Sequence, residues 1–176
     1  MMKHYLLEKP SSWIVKHAPL IPKAGRVLDL ACGNGRHAIW LAEQGYQVDA
    51  IDRDAQVVSS MEGMDNINVF IVDLEAGDWP HSDRKYDGII VSRYLYRPLL
   101  RTLAALLNPG GILIYETFMM GNERYGKPSN PDFLLLPNEL FDVYSPLLNI
   151  IAFEQGEEKM PRPSVMQRIC ATKCMF

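Results

Sequence analysis

The chain has 176 residues, 48% of them apolar and 22% charged, with a formal net charge of −3. That length suits one α/β domain covering 1–176, with a core large enough to need neither disulfides nor a structural metal. The charge excludes an overall basic field for nucleic acid, and no apolar run reaches the roughly 18 residues of a membrane span.

The first ten residues hold Lys3, His4, Glu8 and Lys9 and lack the apolar centre of a signal peptide. Pro10-Ser11-Ser12 opens a short helix that Pro19 ends. Val27 to Ala31 is an apolar run of buried-strand length. Gly35 to Gln44 is helical, with Ala38, Leu41 and Ala42 as its apolar stripe and Gly45 as its stop. Gln47 to Ile51 is the second strand. Asp54 caps a helix reaching about Gly63, and Asn68 to Val72 is the third strand. Asp87 to Ser92 is the fourth strand, and Leu99, Leu103, Leu106 and Leu107 stripe the helix behind Pro98.

Asn108 to Gly111 is a turn and Ile112 to Thr117 the fifth strand. Met119 to Phe133 is a polar loop, longer than most connections in compact domains, and Leu136 to Tyr144 is helical. Asn149 to Phe153 and Val165 to Thr172 are strands around a Glu/Pro-rich loop, Glu154 to Pro163. The alternation predicts a Rossmann-like, doubly wound α/β fold. Its seven-stranded sheet is mostly parallel, and a C-terminal hairpin adds an antiparallel strand at one edge.

The three cysteines are Cys32, Cys170 and Cys174. Positions 170 and 174 of one extended strand lie about 13 Å apart, beyond the ~7 Å a disulfide spans. His4, His17, His37 and His81 show no paired ligand spacing, so no metal is expected, and a reducing cytoplasm fits the whole pattern.

Val27-Leu28-Asp29-Leu30-Ala31-Cys32-Gly33-Asn34-Gly35-Arg36 carries the chemistry. A buried strand enters a Gly-x-Gly turn and then a helix. The glycines let backbone approach a ligand, and the helix start offers free N–H groups. Asp52 closes the second strand, 17 residues beyond Gly35, where a carboxylate accepts both hydroxyls of a ribose. Asp73 closes the third strand, in reach of an adenine amino group. Asp29 is a charge inside an apolar strand, so it orients the loop or meets an ammonium. Gly33 to Ala38 also fits the dinucleotide pattern G-x-G-x-x-A, which makes a nicotinamide enzyme a competitor. Asp29, Asp73 and the closing hairpin oppose it. The Tyr-x-x-x-Lys pair of short-chain dehydrogenases occurs only at Tyr5 and Lys9, before the first strand.

Val27 to Gly35, Tyr46 to Asp54, Val72-Asp73-Leu74, Tyr86 to Ser92 and Leu107 to Gly111 resemble, in order, the motifs of class I S-adenosylmethionine-dependent methyltransferases. Residues 41–52 and the final strand, 167–173, are similar to the tellurite-resistance-like small-molecule branch. The resemblance assigns Asp29, Ala31, Gly33, Asn34, Gly35, Arg36, Asp52, Arg53, Asp73, Leu74 and Ser92 to S-adenosylmethionine. Gly33 and Gly35 would line its methionine part and Asp29 hold the amino end. Asp52 would take the ribose, Arg53 flank the adenine, and Asp73 with Leu74 meet the adenine edge. Ala31 departs from the family, which often has glycine there.

Methyl transfer is an in-line displacement, so a catalytic base is needed only if the acceptor must lose a proton. Tyr94, Tyr96 and Glu116 are the catalytic candidates, near the ends of strands four and five. The segment after strand four lacks the Asn/Asp-Pro-Pro-aromatic signature of nucleic-acid amino methyltransferases, and no cysteine sits where 5-methylpyrimidine chemistry needs one. A small-molecule acceptor is therefore expected. Arg93, Arg97, Arg124, Tyr125 and Lys127 offer it anion-binding partners, and the 119–133 loop is a lid candidate. The alternatives are an RNA or protein methyltransferase and a non-catalytic sensor of the cofactor.

Overall fold

A run such as Gly88-Ile89-Ile90-Val91 has no polar side to turn to water, so it needs a layer on each face. The computed structural model, which describes residues 9–77, 79 and 83–176, supplies both. The readings placed on Lys3, His4, Tyr5, Glu8 and His81 lie outside those residues. The strands are β1 (Arg26–Leu30), β2 (Gln47–Asp52), β3 (Ile67–Ile71), β4 (Tyr86–Ser92), β5 (Leu107–Phe118), β6 (Asn149–Glu158) and β7 (Ser164–Thr172). They form one sheet of order β3-β2-β1-β4-β5-β7-β6, in which β1 to β5 run parallel and β7 runs antiparallel to both neighbours.

Alternate residues feed two cores. Leu28, Leu30, Ile89, Val91, Leu113 and Tyr115 pack on one face with α4 (Leu100–Leu106) and α5 (Glu139–Tyr144). Val27, Val48, Ile90, Ile112 and Ile114 pack on the other with α1 (Ser12–His17) and α2 (Arg36–Glu43). Ser11 caps α1 by accepting from the Trp13 N–H, and the Trp13 indole donates to the Ile169 carbonyl, fixing α1 over β7.

Several elements differ from expectation for local reasons. The helix capped by Asp54 is regular only over α3 (Ala55–Val58) and tightens to a 3-10 turn at Ser59–Met61. The Ser59 and Ser60 hydroxyls donate to the Gln56 and Val57 carbonyls, which competes with the helical ladder. Asn108–Gly111 is no free turn. It bulges within β5, since two steps along β4 (Tyr86 to Gly88) match five along β5 (Leu107 to Ile112). α5 starts at Glu139 rather than Leu136, because Leu135 bridges Met119 and the Leu136 N–H is held by the Glu139 carboxylate. Glu154 to Glu158 is strand, not loop, and pairs with Ser164 to Arg168. β7, not β6, lies against β5, so the hairpin adds an interior strand as well as an edge.

Candidate functional site

The parallel strands all deliver their carboxyl ends to one rim, the place where open α/β sheets bind ligands. There the chain passes from β1 to α2 through Ala31, Gly33 and Gly35 in the left-handed region, with φ of 52°, 54° and 79°. Only Ala31 bears a Cβ, at a cost of about 1–2 kcal/mol, which explains why glycine is common at this position in the resembling family. At Gly35 a Cβ would also lie 2.0 Å from the Met61 sulfur, so glycine is required twice over.

Asp52 ties this loop down. Its Oδ2 accepts from the Gly33 N–H at 2.9 Å and its Oδ1 from the Asp54 N–H at 3.0 Å. Asp29 lies beneath, 1% exposed. It accepts from the Ala38 N–H, while its Oδ2 has no partner among the described residues. Burial pushes its pKa up to about 7, against the lowering influence of the Ala38 N–H and of Arg36. Asp73 turns its Oδ1 to the Glu75 N–H at 3.0 Å.

Above the loop lies a cavity of about 420 Å³, walled by Ala31, Asp52, Arg53, Asp73 and Leu74 among others. Five of the expected cofactor residues thus share one wall. Gly33, Asn34 and Gly35 form the loop beside it, Asp29 lies below, and neither Arg36 nor Ser92 lines it. Arg36 turns instead into a second cavity of about 800 Å³, between Lys9–Ser12, β5 and the β6–β7 hairpin. It donates to the Lys9 carbonyl at 2.8 Å and the Ser92 hydroxyl at 3.4 Å. His37 beside it accepts from the Ser11 N–H at 3.0 Å, and burial pulls its pKa down to about 3, so it stays a neutral acceptor.

Of the catalytic candidates, Tyr94 lines the smaller cavity, but its hydroxyl is turned to Glu75 at 3.3 Å and burial raises its pKa. Tyr96 lines none of the three cavities described. Glu116, 2% exposed, accepts from the Ser92 hydroxyl at 2.9 Å and from Arg168 Nε at 3.1 Å, and reaches the larger cavity. Arg168 also holds Glu154 and Glu158.

Two proposed anion partners are otherwise engaged. Arg97 donates to both Glu139 carboxylate oxygens and to the Asp132 and Leu134 carbonyls. Arg124 pairs with Glu157 at 2.6 Å. Both guanidiniums are spent fastening the 119–133 loop, because each meets a carboxylate on a neighbouring element that chain order does not reveal. The buried Asn122 side chain adds bonds to Val165 and Pro128. The loop rises on the rim side of the sheet. Pro128 and Phe133 reach the smaller cavity, and Tyr125, Lys127 and Arg162 line a third of about 870 Å³. Arg97→Met should free the Asp132–Glu139 end. We expect turnover to fall at least about tenfold while donor affinity stays within about threefold. Steady-state kinetics beside calorimetry would separate the two, and an equal loss in both would show that the loop only supports the donor cavity.

Met160, Arg162 and Arg168 are further cavity walls that the sequence motifs do not single out. Arg168 had a signal: it stands opposite Glu116 on β5 and Glu154 on β6, a charge ladder visible once the strands are paired.

This sheet order is the fold of class I S-adenosylmethionine-dependent methyltransferases. TehB from Haemophilus influenzae shares it at a TM-score of 0.78 and 21% identity, over 93% of this chain and 62% of that one. A Burkholderia thailandensis 1,6-didemethyltoxoflavin-N1-methyltransferase shares it at 0.65 and 18%, over 92% and 76%. A model of the methyltransferase domain matches residues 2–146, and the chain belongs to that family. Protein-L-isoaspartate O-methyltransferase of Chlorobaculum tepidum is 30% identical over 124 residues, 68% of this chain and 55% of that protein. The chain spans about half the length of the curated relatives it matches.

Proposed function

We propose that this protein transfers a methyl group from S-adenosylmethionine to a small anionic molecule by direct in-line displacement, in the cytoplasm. The observation that carries the reading is the smaller cavity. Asp52 and Asp73 stand on its wall, and the unpartnered Oδ2 of Asp29 is buried beneath its glycine loop. A buried acceptor without a donor is costly, and the ammonium of a methionyl group supplies one. Asp52 would accept the ribose hydroxyls, Asp73 the adenine amino group, and Asp29 the ammonium. Bound there, the cofactor supplies a methyl group on a positively charged sulfur.

The neighbouring cavity suits the acceptor. Arg93 lines both spaces, so a molecule in the larger one borders the donor. Its volume is in the usual range for small-molecule sites, roughly 300–1,000 Å³. No helix among the described residues is long and apolar enough to cross a membrane. Cys32, Cys170 and Cys174 are free thiols, which suits a reducing compartment.

Calorimetry with S-adenosylhomocysteine and with NAD tests the donor assignment. The expected result is binding of the first and none of the second, and tighter NAD binding would overturn it. Methyl-label transfer into a metabolite pool, compared with RNA and protein, separates a small acceptor from the macromolecular alternatives.

A further inference from the structure

Arg93 is the residue that all three cavities share. It follows β4 with a φ of 57°, a left-handed conformation that costs a non-glycine residue about 1–2 kcal/mol, and its N–H is fixed to the Glu116 carbonyl at 2.9 Å. The guanidinium lies over the Phe118 ring at 5.2 Å, and its buried Nε has no hydrogen-bond partner among the described residues. Arg36 and Arg162 press on it as like charges, and burial with these neighbours lowers its pKa. Glu116 and Glu158 attract it, but both are already bonded to Arg168. No carboxylate among the described residues lies within 4.0 Å of Arg36, Arg93 or Arg162.

We propose that the acceptor is an organic acid with an apolar body, and that Arg93 holds its carboxylate at the junction of the two cavities, where one carboxylate oxygen takes the methyl group. This rests on the smaller cavity being the donor's. Three features give the acceptor its chemistry. Surplus guanidinium charge with an unpaired N–H calls for an oxyanion. A space of about 800 Å³ walled in part by Pro10, Met160, Pro161 and Met166 is far larger than an inorganic oxyanion fills, and it suits a hydrocarbon or aromatic body. Finally, Glu116 accepts hydrogen bonds on both oxygens and Tyr94 donates to Glu75, so neither catalytic candidate stands unengaged beside the acceptor. A carboxylate has no proton to remove near neutral pH.

In the step, an oxygen lone pair of the carboxylate bonds to the methyl carbon as the carbon–sulfur bond breaks. That bond's electron pair stays on sulfur. A neutral methyl ester and S-adenosylhomocysteine result, and no proton moves. Arg93 donating to the other oxygen fixes the attacking one in line.

Methyl-labelled donor is incubated with the acidic fraction of a metabolite extract and with a panel of aliphatic and aromatic monocarboxylic acids. The expected product is label that mild base releases as methanol, the mark of an ester. Arg93→Gln should lower kcat/KM for acids by about 10- to 100-fold, with Arg93→Lys recovering part, and this loss should exceed any loss of S-adenosylhomocysteine affinity, since Arg93 also borders the donor cavity. A measurement on the wild-type protein stands beside this in case the variants fold poorly. With S-adenosylhomocysteine bound, an acid should raise the melting temperature, and its amide should not. Transfer only to base-stable positions, or no transfer and no stabilisation by acids in a protein that binds S-adenosylhomocysteine, overturns the proposal. Failure to bind S-adenosylhomocysteine overturns the donor reading instead.

Discussion

Asp52→Ala should weaken S-adenosylhomocysteine binding by at least about 100-fold, since each hydrogen bond to a charged acceptor contributes about 1.5–3 kcal/mol and a ribose offers two. The structure adds a second reason for a large effect. The same carboxylate holds the Gly33 N–H and the Asp54 N–H, so its loss loosens the loop that the donor must lie against. Asp52→Asn separates the contributions. Its amide oxygen still accepts from Gly33, while its charge and one acceptor are gone, so its affinity should fall between wild type and alanine. Circular dichroism must show both variants folded. Unchanged affinity in a folded alanine variant would falsify the ribose assignment.

Donor affinity should fall about tenfold for each pH unit below 7, because binding an ammonium then requires Asp29 to give up a proton. The carboxyl ordinarily titrates near 3.8 and burial raises it to about 7. Above pH 7 affinity should level off, until the donor's own amino group loses its charge near about 8. Stability without the donor runs the opposite way. Between these two values the folded chain keeps a proton that the unfolded chain has lost. Asp29 therefore favours folding most below about pH 4, and that advantage is lost as pH rises through 7. Asp29→Asn should flatten both profiles. Calorimetry and thermal melts from pH 5 to 8 read them, and a flat wild-type binding curve would remove Asp29 from the ammonium site.

Legibility followed burial. The strands β1, β2, β4 and β5 were visible because apolar runs on doubly covered strands leave no other reading, whereas β3 is an edge strand with only Ile67 buried. Asp52 and Asp73 stood out because strand ends in such sheets have a known address. β6 was seen only in its apolar half. Gln155 to Glu158 lies on an exposed edge, where polar side chains suit a strand and a loop equally well. The arginines divided by partner. Arg97 and Arg124 look in sequence like Arg93, and only Glu139 and Glu157, brought near by the fold, tell them apart. Arg36 reads as a cofactor-loop residue by position, yet its long side chain carries the charge into the next cavity.

β7 is the last strand in the chain but an inner strand of the sheet, paired with β5 from Met166 to Thr172 and with β6 from Ser164 to Thr172. During synthesis the first five strands can assemble early, while the Ile112–Phe118 flank of β5 has no neighbour until β7 emerges. An open flank of that length invites pairing with other nascent chains. β6 emerges first but is poorly suited to take the place. None of its residues is fully buried, whereas most of those of β7 are. The polar second half of β6, Glu154 to Glu158, thus helps keep the slot free. A ribosome stalled before Ser164 would carry a chain with its β1-to-α2 loop already made and its most adhesive surface still uncovered.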